Sequence, residues 1–238
     1  MLNDTSHHLQ FSNPRWLKVL SNAALLLALA IVAQLAAIAV GWKDAQQGAA
    51  ALALAAFFAA LAVWLLTRTE PEKKSKSVLR LAARLTAVTI AILWLLAIFI
   101  PHKNIDPLAI AALLATAAQG TLLSLHLRTL AARIPNESIM AHFLNLAYAV
   151  PAISLILITA QIFGQTNIKI WRLKEWLFCG ITIEAIMALI MLWAVLTLLR
   201  FAIELRNCAT AGKDIELRKN QKIQQQQAER DAKQKRRR

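Results

Sequence analysis

Six apolar stretches, Val19–Val40, Ala49–Leu66, Leu85–Ile100, Leu108–Leu127, Leu146–Phe163 and Leu177–Leu199, alternate along the chain with short polar connections. A hydrocarbon layer about 30 Å thick takes roughly 20 apolar residues of helix to cross. Only elements that satisfy their own backbone survive there. The pattern therefore predicts an all-α, polytopic membrane protein, a six-transmembrane-helix bundle with helices at about 19–40, 49–66, 80–100, 107–131, 143–163 and 176–205. The third stretch reaches full length if it starts near Val78, with Arg80 and Arg84 snorkelling back to the interface.

Punctuation supports these boundaries. Pro101 closes the third helix, Asp106-Pro107 reads as an N-cap with proline at the first helical position of the fourth, and Asn136 after Pro135 caps the fifth. Gly212 is expected to interrupt the sixth helix. This divides the chain into an N-terminal segment 1–18, a transmembrane domain 19–212 and a basic tail 213–238, helical or disordered. Basic residues before the first stretch and a small-x-small triplet, Ala37-Ile38-Ala39, imitate a signal peptide. Its apolar run is longer than a signal core, which indicates an uncleaved anchor.

Charge sets the orientation. Of 27 Lys and Arg, two precede the first stretch, six lie between Arg68 and Arg84, two are Arg128 and Arg133, and twelve follow from Arg200, making 22 on one side. The intervening connections carry one, one and three. By the positive-inside rule both termini are cytoplasmic, as for a multi-pass protein of a bacterial cytoplasmic (inner) membrane. Trp16, Trp42, Trp64, Trp171 and Trp176 fall near the expected interfaces as anchors. The alanines between Ala49 and Ala62, and those around Gly120, suit close helix packing or contacts in a homo- or hetero-oligomer.

Polar groups within the apolar blocks are few. Glu184 is the acidic residue deepest in a block, about 12 Å along the helix from Trp176. With no Lys or Arg at comparable depth, the neutral acid is its expected resting form. Gln119 and Gln34 lie about 17 and 9 Å below the same surface, bracketing Glu184, so the three are expected to form one buried polar cluster, a possible ion or proton site. Thr116, Gln119, Leu123 and His126 share a helical face. With His142, Asn145 and Tyr148 at the start of the fifth helix, His126 marks a second, cytoplasm-facing polar site.

Two histidines without acidic or thiol ligands make no zinc site, and Cys179 and Cys208 have no paired spacing. Neither metal nor cofactor is expected, and no nucleophile elbow, metalloprotease motif or phosphate-binding glycine loop suggests catalysis. The tail is the stronger signal. It ends Lys235-Arg236-Arg237-Arg238, and such a run attracts anionic lipid headgroups and phosphate backbones. The leading expectation is a non-enzymatic membrane scaffold or accessory subunit whose tail associates with anionic lipid, RNA or an acidic protein. The alternative is a small proton- or cation-coupled transporter or channel using Glu184 with Gln34 and Gln119.

Overall fold

The computed structural model describes residues 9, 12–41, 45–70, 77–99, 105–134, 136–165 and 173–235. Within these ranges, the side chains of residues 39–41, 45, 46, 105–107, 109, 157, 160–165, 173–184, 216 and 228–235 are not described. The architecture is all-helical: α1 Pro14–Gly41, α2 Ala45–Leu66, α3 Val78–Phe99, α4 Ile105–Ala131, α5 Glu137–Gln165 and α6 Leu173–Lys235. All six are long and apolar enough to cross a membrane.

Local chemistry sets most of the helix starts. The Asn13 side chain accepts the Arg15 backbone N–H at 2.9 Å, so Asn13 is the N-cap and Pro14 occupies the first helical position. This cap starts α1 five residues before the apolar run that predicts it. Asn136 stands at the N-cap of α5 as expected, and its side-chain oxygen accepts the Ser138 hydroxyl at 2.7 Å. The first helical residue of α4 is Ile105, so Asp106 and Pro107 lie inside its first turn. Gly212 does not break α6, which runs on to Lys235. One glycine in a helix costs only about 1 kcal/mol relative to alanine, and the flanking residues are good helix formers.

Each helix packs against its neighbours in chain order, and α6 returns against α1, so the six form a closed ring. The core lies inside it: Leu20, Val63, Ala83, Leu127, Phe143 and Phe201, one from each helix, are all buried. Phe143 and Phe201 meet edge to face with ring centres 5.3 Å apart. On α2 it is the alanines, Ala55, Ala56, Ala59 and Ala62, that turn inward, while Leu54, Phe57, Leu61 and Trp64 stay exposed. Small residues inside and bulky apolar ones outside suit helices that approach closely while surrounded by lipid.

The α4–α5 pair is the tightest seam. A Cβ added at Gly120 would sit 2.5 Å from Val150 Cγ1, which only glycine avoids. Alongside, Pro151 has no N–H for the Ala147 carbonyl, and Thr121 of α4 donates its hydroxyl there at 3.4 Å. Gly120→Ala is expected to cost about 1 kcal/mol, the overpacking being partly offset by better helix propensity. Adding Val150→Ala should recover the loss. Unfolding midpoints in detergent check both; an unaffected single variant would mean the helices separate freely.

At the end of the bundle that carries the start of α1, polar groups tie the chain together. The Arg133 guanidinium, just past α4, donates to Glu70 Oε2 and to Ser12 Oγ, each at 3.2 Å, while its carbonyl accepts the Leu9 N–H at 3.1 Å. Trp16 Nε1 donates to the Arg68 carbonyl at 3.2 Å, and Asn136 donates to Glu204 of α6 at 3.2 Å. The buried Ser21 hydroxyl donates to the Ala202 carbonyl at 2.8 Å, fixing the register where α6 meets α1.

Candidate functional site

The ring encloses a cavity of about 150 Å³ with at least one residue of every helix in its wall. At about 30 Å³ of liquid volume per molecule, that is room for about five waters. Among the described residues four polar ones line it: Gln34 from α1 and Thr116, Gln119 and Ser124 from α4. The rest of the described wall is apolar, so these four are its polar groups among the described residues. Thr116 already donates to the Ala112 carbonyl at 2.7 Å, which leaves its oxygen as an acceptor. Two carboxamides and two hydroxyls offer donors and acceptors without formal charge. Such a set suits water or a small neutral polar solute.

Helix geometry explains how Gln34 and Gln119 converge from α1 and α4. Thr116, Gln119 and Leu123 recur at the expected spacing and all face the cavity. Ser124, with Gly120 and Leu127, belongs to an adjacent stripe that also faces inward. Sequence periodicity alone missed it, because the apolar contrast between the two stripes is slight.

The Glu184 side chain lies outside the described residues, but its backbone is helical. Position 184 is seven residues, two turns, before Met191, which lines the cavity. Starting from the Ser21–Ala202 bond, Gln34 is thirteen residues along α1 and Glu184 eighteen residues back along α6. The backbone of Glu184 is thus about 7.5 Å beyond that of Gln34, towards the opposite end of the bundle. Sequence depth alone puts Glu184 about 3 Å on the other side of Gln34, nearer the start of α1, so the register of α6 against α1 reverses the expected order of the two and Gln34 and Gln119 do not bracket Glu184 as expected.

The four residues of the second polar set do not meet at one point. His126 is buried and hydrogen-bonded to the Leu66 backbone on α2. His142 instead packs edge-on against Trp193 of α6, with ring centres 5.9 Å apart. Asn145 is exposed, and Tyr148 is 70% exposed. Among the described residues no group of three or more His, Cys, Asp or Glu is placed to hold a metal ion. Cys208 is a free, buried thiol, and the Cys179 side chain lies outside the described residues. At the other end of the chain, Lys235 closes α6, its side chain undescribed, and Arg236, Arg237 and Arg238 lie outside the described residues.

Six helices long and apolar enough to cross a membrane, closed around a small and mostly apolar cavity, mark a multi-pass membrane protein. Comparison with protein-family models, with curated proteins and with solved structures finds no match.

Proposed function

We propose that this is a non-enzymatic scaffold or accessory subunit of a bacterial cytoplasmic membrane, with both termini cytoplasmic. Its bundle holds a basic helical arm for association with anionic lipid, RNA or an acidic protein. The observation that carries this reading is the unbroken course of α6. From Ala202, level with Ser21 of α1, to Lys235 the helix runs 33 residues, or about 50 Å. The described side chains from Lys213 to Gln227 are exposed, Ile215, Leu217 and Ile223 among them. Three scattered apolar residues offer no continuous seam for coiling against another helix. Charge is what the arm presents. The 22-to-5 distribution of Lys and Arg supports its cytoplasmic placement. Deleting Lys213–Arg238 should remove co-purifying cytoplasmic partners while leaving the bundle folded; an unchanged set of partners would count against the arm.

The cavity favours a second reading, a small transporter or channel in which Glu184 acts with Gln34 and Gln119 on a proton or cation. Two carboxamides on one cavity, with a carboxyl two turns from Met191 on its wall, are the groups such a path needs. Glu184→Gln should then lower proton- or cation-driven flux in reconstituted vesicles at least about tenfold, the scale at which a required acid–base group acts. Equal flux in wild type and variant would remove the carboxyl from the path.

A further inference from the structure

A second, wholly apolar groove of about 670 Å³ runs along the outer faces of α2 and α3. On α2 its wall follows Ala50, Ala53, Phe57, Leu61 and Trp64; on α3 it includes Ala91. From Ala50 to Trp64 it extends about 21 Å, close to the depth of one leaflet and its interface. Alanines of both helices alternate along it with Leu, Ile, Val, Phe and Trp side chains. Such a slot has the shape of a single extended acyl chain.

Just beyond the end of the groove nearest the start of α1 lies a cation. The Arg84 guanidinium lies 4.5 Å from the centre of the Trp64 ring, which is itself 53% exposed. Arg84 Nε donates to Thr67 Oγ1 at 2.8 Å and Nη2 to the Thr67 carbonyl at 3.0 Å. These two bonds fix the plane of the cation and use two of its five N–H donors. Arg80 follows one turn nearer the polar connection. A cation held rigidly at the mouth of an apolar slot is complementary to a molecule with an anionic head and a hydrocarbon tail.

We infer that the α2–α3 groove is a binding site for one anionic phospholipid, with an acyl chain along Ala53, Phe57 and Ala91 and the phosphate at Arg84. Charge selects this occupant over a second copy of the chain. A second copy would bring another basic face towards Arg80 and Arg84, whereas a phospholipid of the same leaflet brings a negative phosphate. The site is separate from the α6 arm and does not depend on what the arm binds.

Native mass spectrometry of the full chain, released from nanodiscs of mixed phosphatidylcholine and phosphatidylglycerol, tests this directly. Wild type should retain one phosphatidylglycerol in preference to phosphatidylcholine. Arg84→Gln should lower that preference about fivefold, the effect of one basic residue at the membrane surface. Ala91→Phe fills the groove from its lipid-facing side without touching the cation, and should lower retention to the same degree. Replacing Lys235, Arg236, Arg237 and Arg238 by Gln should leave it unchanged. Wild-type preference in both Arg84→Gln and Ala91→Phe overturns the site. So does a preference lost only in the arm variant, or an Ala91→Phe variant that turns a dimer into a monomer with its bound lipid unaltered.

Discussion

Arg133→Ala is expected to lower the stability of the bundle by about 3 kcal/mol, at the low end of the range for breaking a buried ion pair. Glu70, with its side chain only 8% exposed, loses the guanidinium 3.2 Å away, and its carboxylate must become protonated or hydrated. The same substitution removes a bond to Ser12, so the segment before α1 loses one of its anchors. The cost comes mainly from an uncompensated charge. Replacing both partners, as Arg133→Met with Glu70→Leu, should therefore recover most of it. Unfolding of detergent-solubilised protein gives both values. A single variant within 0.5 kcal/mol of wild type, roughly the scatter of ordinary surface substitutions, would mean that the pair carries no structural weight.

This pair shows where sequence reading stops. Glu70 and Arg133 are 63 residues apart, in connections that look like ordinary polar punctuation. The packing of α3 against α4 is what brings the α2–α3 and α4–α5 connections together. The helices themselves were legible, because a run of some 20 apolar residues has few alternatives to spanning a bilayer. Their ends were less so. At the start of α1, hydropathy drops at Lys18 although the cap lies at Asn13-Pro14; at Gly212, the helix formers around one glycine outweigh its low propensity.

The polar residues divide in the same way. Helical rise gives the depth of Gln34 and Gln119, and both line the central cavity. A short connection joins the helices of His126 and His142, and the two residues lie at similar depth. Depth does not give the direction of a side chain, and the two rings turn to α2 and α6 respectively. The Arg84–Trp64 contact had no signal in the sequence beyond an arginine and a tryptophan near the same interface. It depends on the antiparallel register of α2 and α3, fixed in part by the bonds from Arg84 to Thr67.

The largest expected effect belongs to the end of the arm. Four adjacent basic residues, Lys235, Arg236, Arg237 and Arg238, each attract an anionic membrane by about 1 kcal/mol near its surface, which together amounts to about a thousandfold in affinity at low ionic strength. Screening shortens the Debye length from about 30 Å at 0.01 M salt to about 3 Å at 1 M, so most of this attraction should vanish in concentrated salt. A helix such as α6 can hold these charges tens of ångströms from the bundle, where a neighbouring surface can meet them. On the proposed reading the arm is a docking element rather than only a determinant of orientation.

One measurement tests this role most directly: capture of phosphatidylglycerol vesicles by the full chain in phosphatidylcholine nanodiscs, compared with the variant in which those four residues are glutamine. Salt-sensitive capture by wild type, weakened about a thousandfold in the variant, is the expected result. Equal capture by both proteins, or none by either at low salt, would contradict a docking role for the arm on an anionic surface.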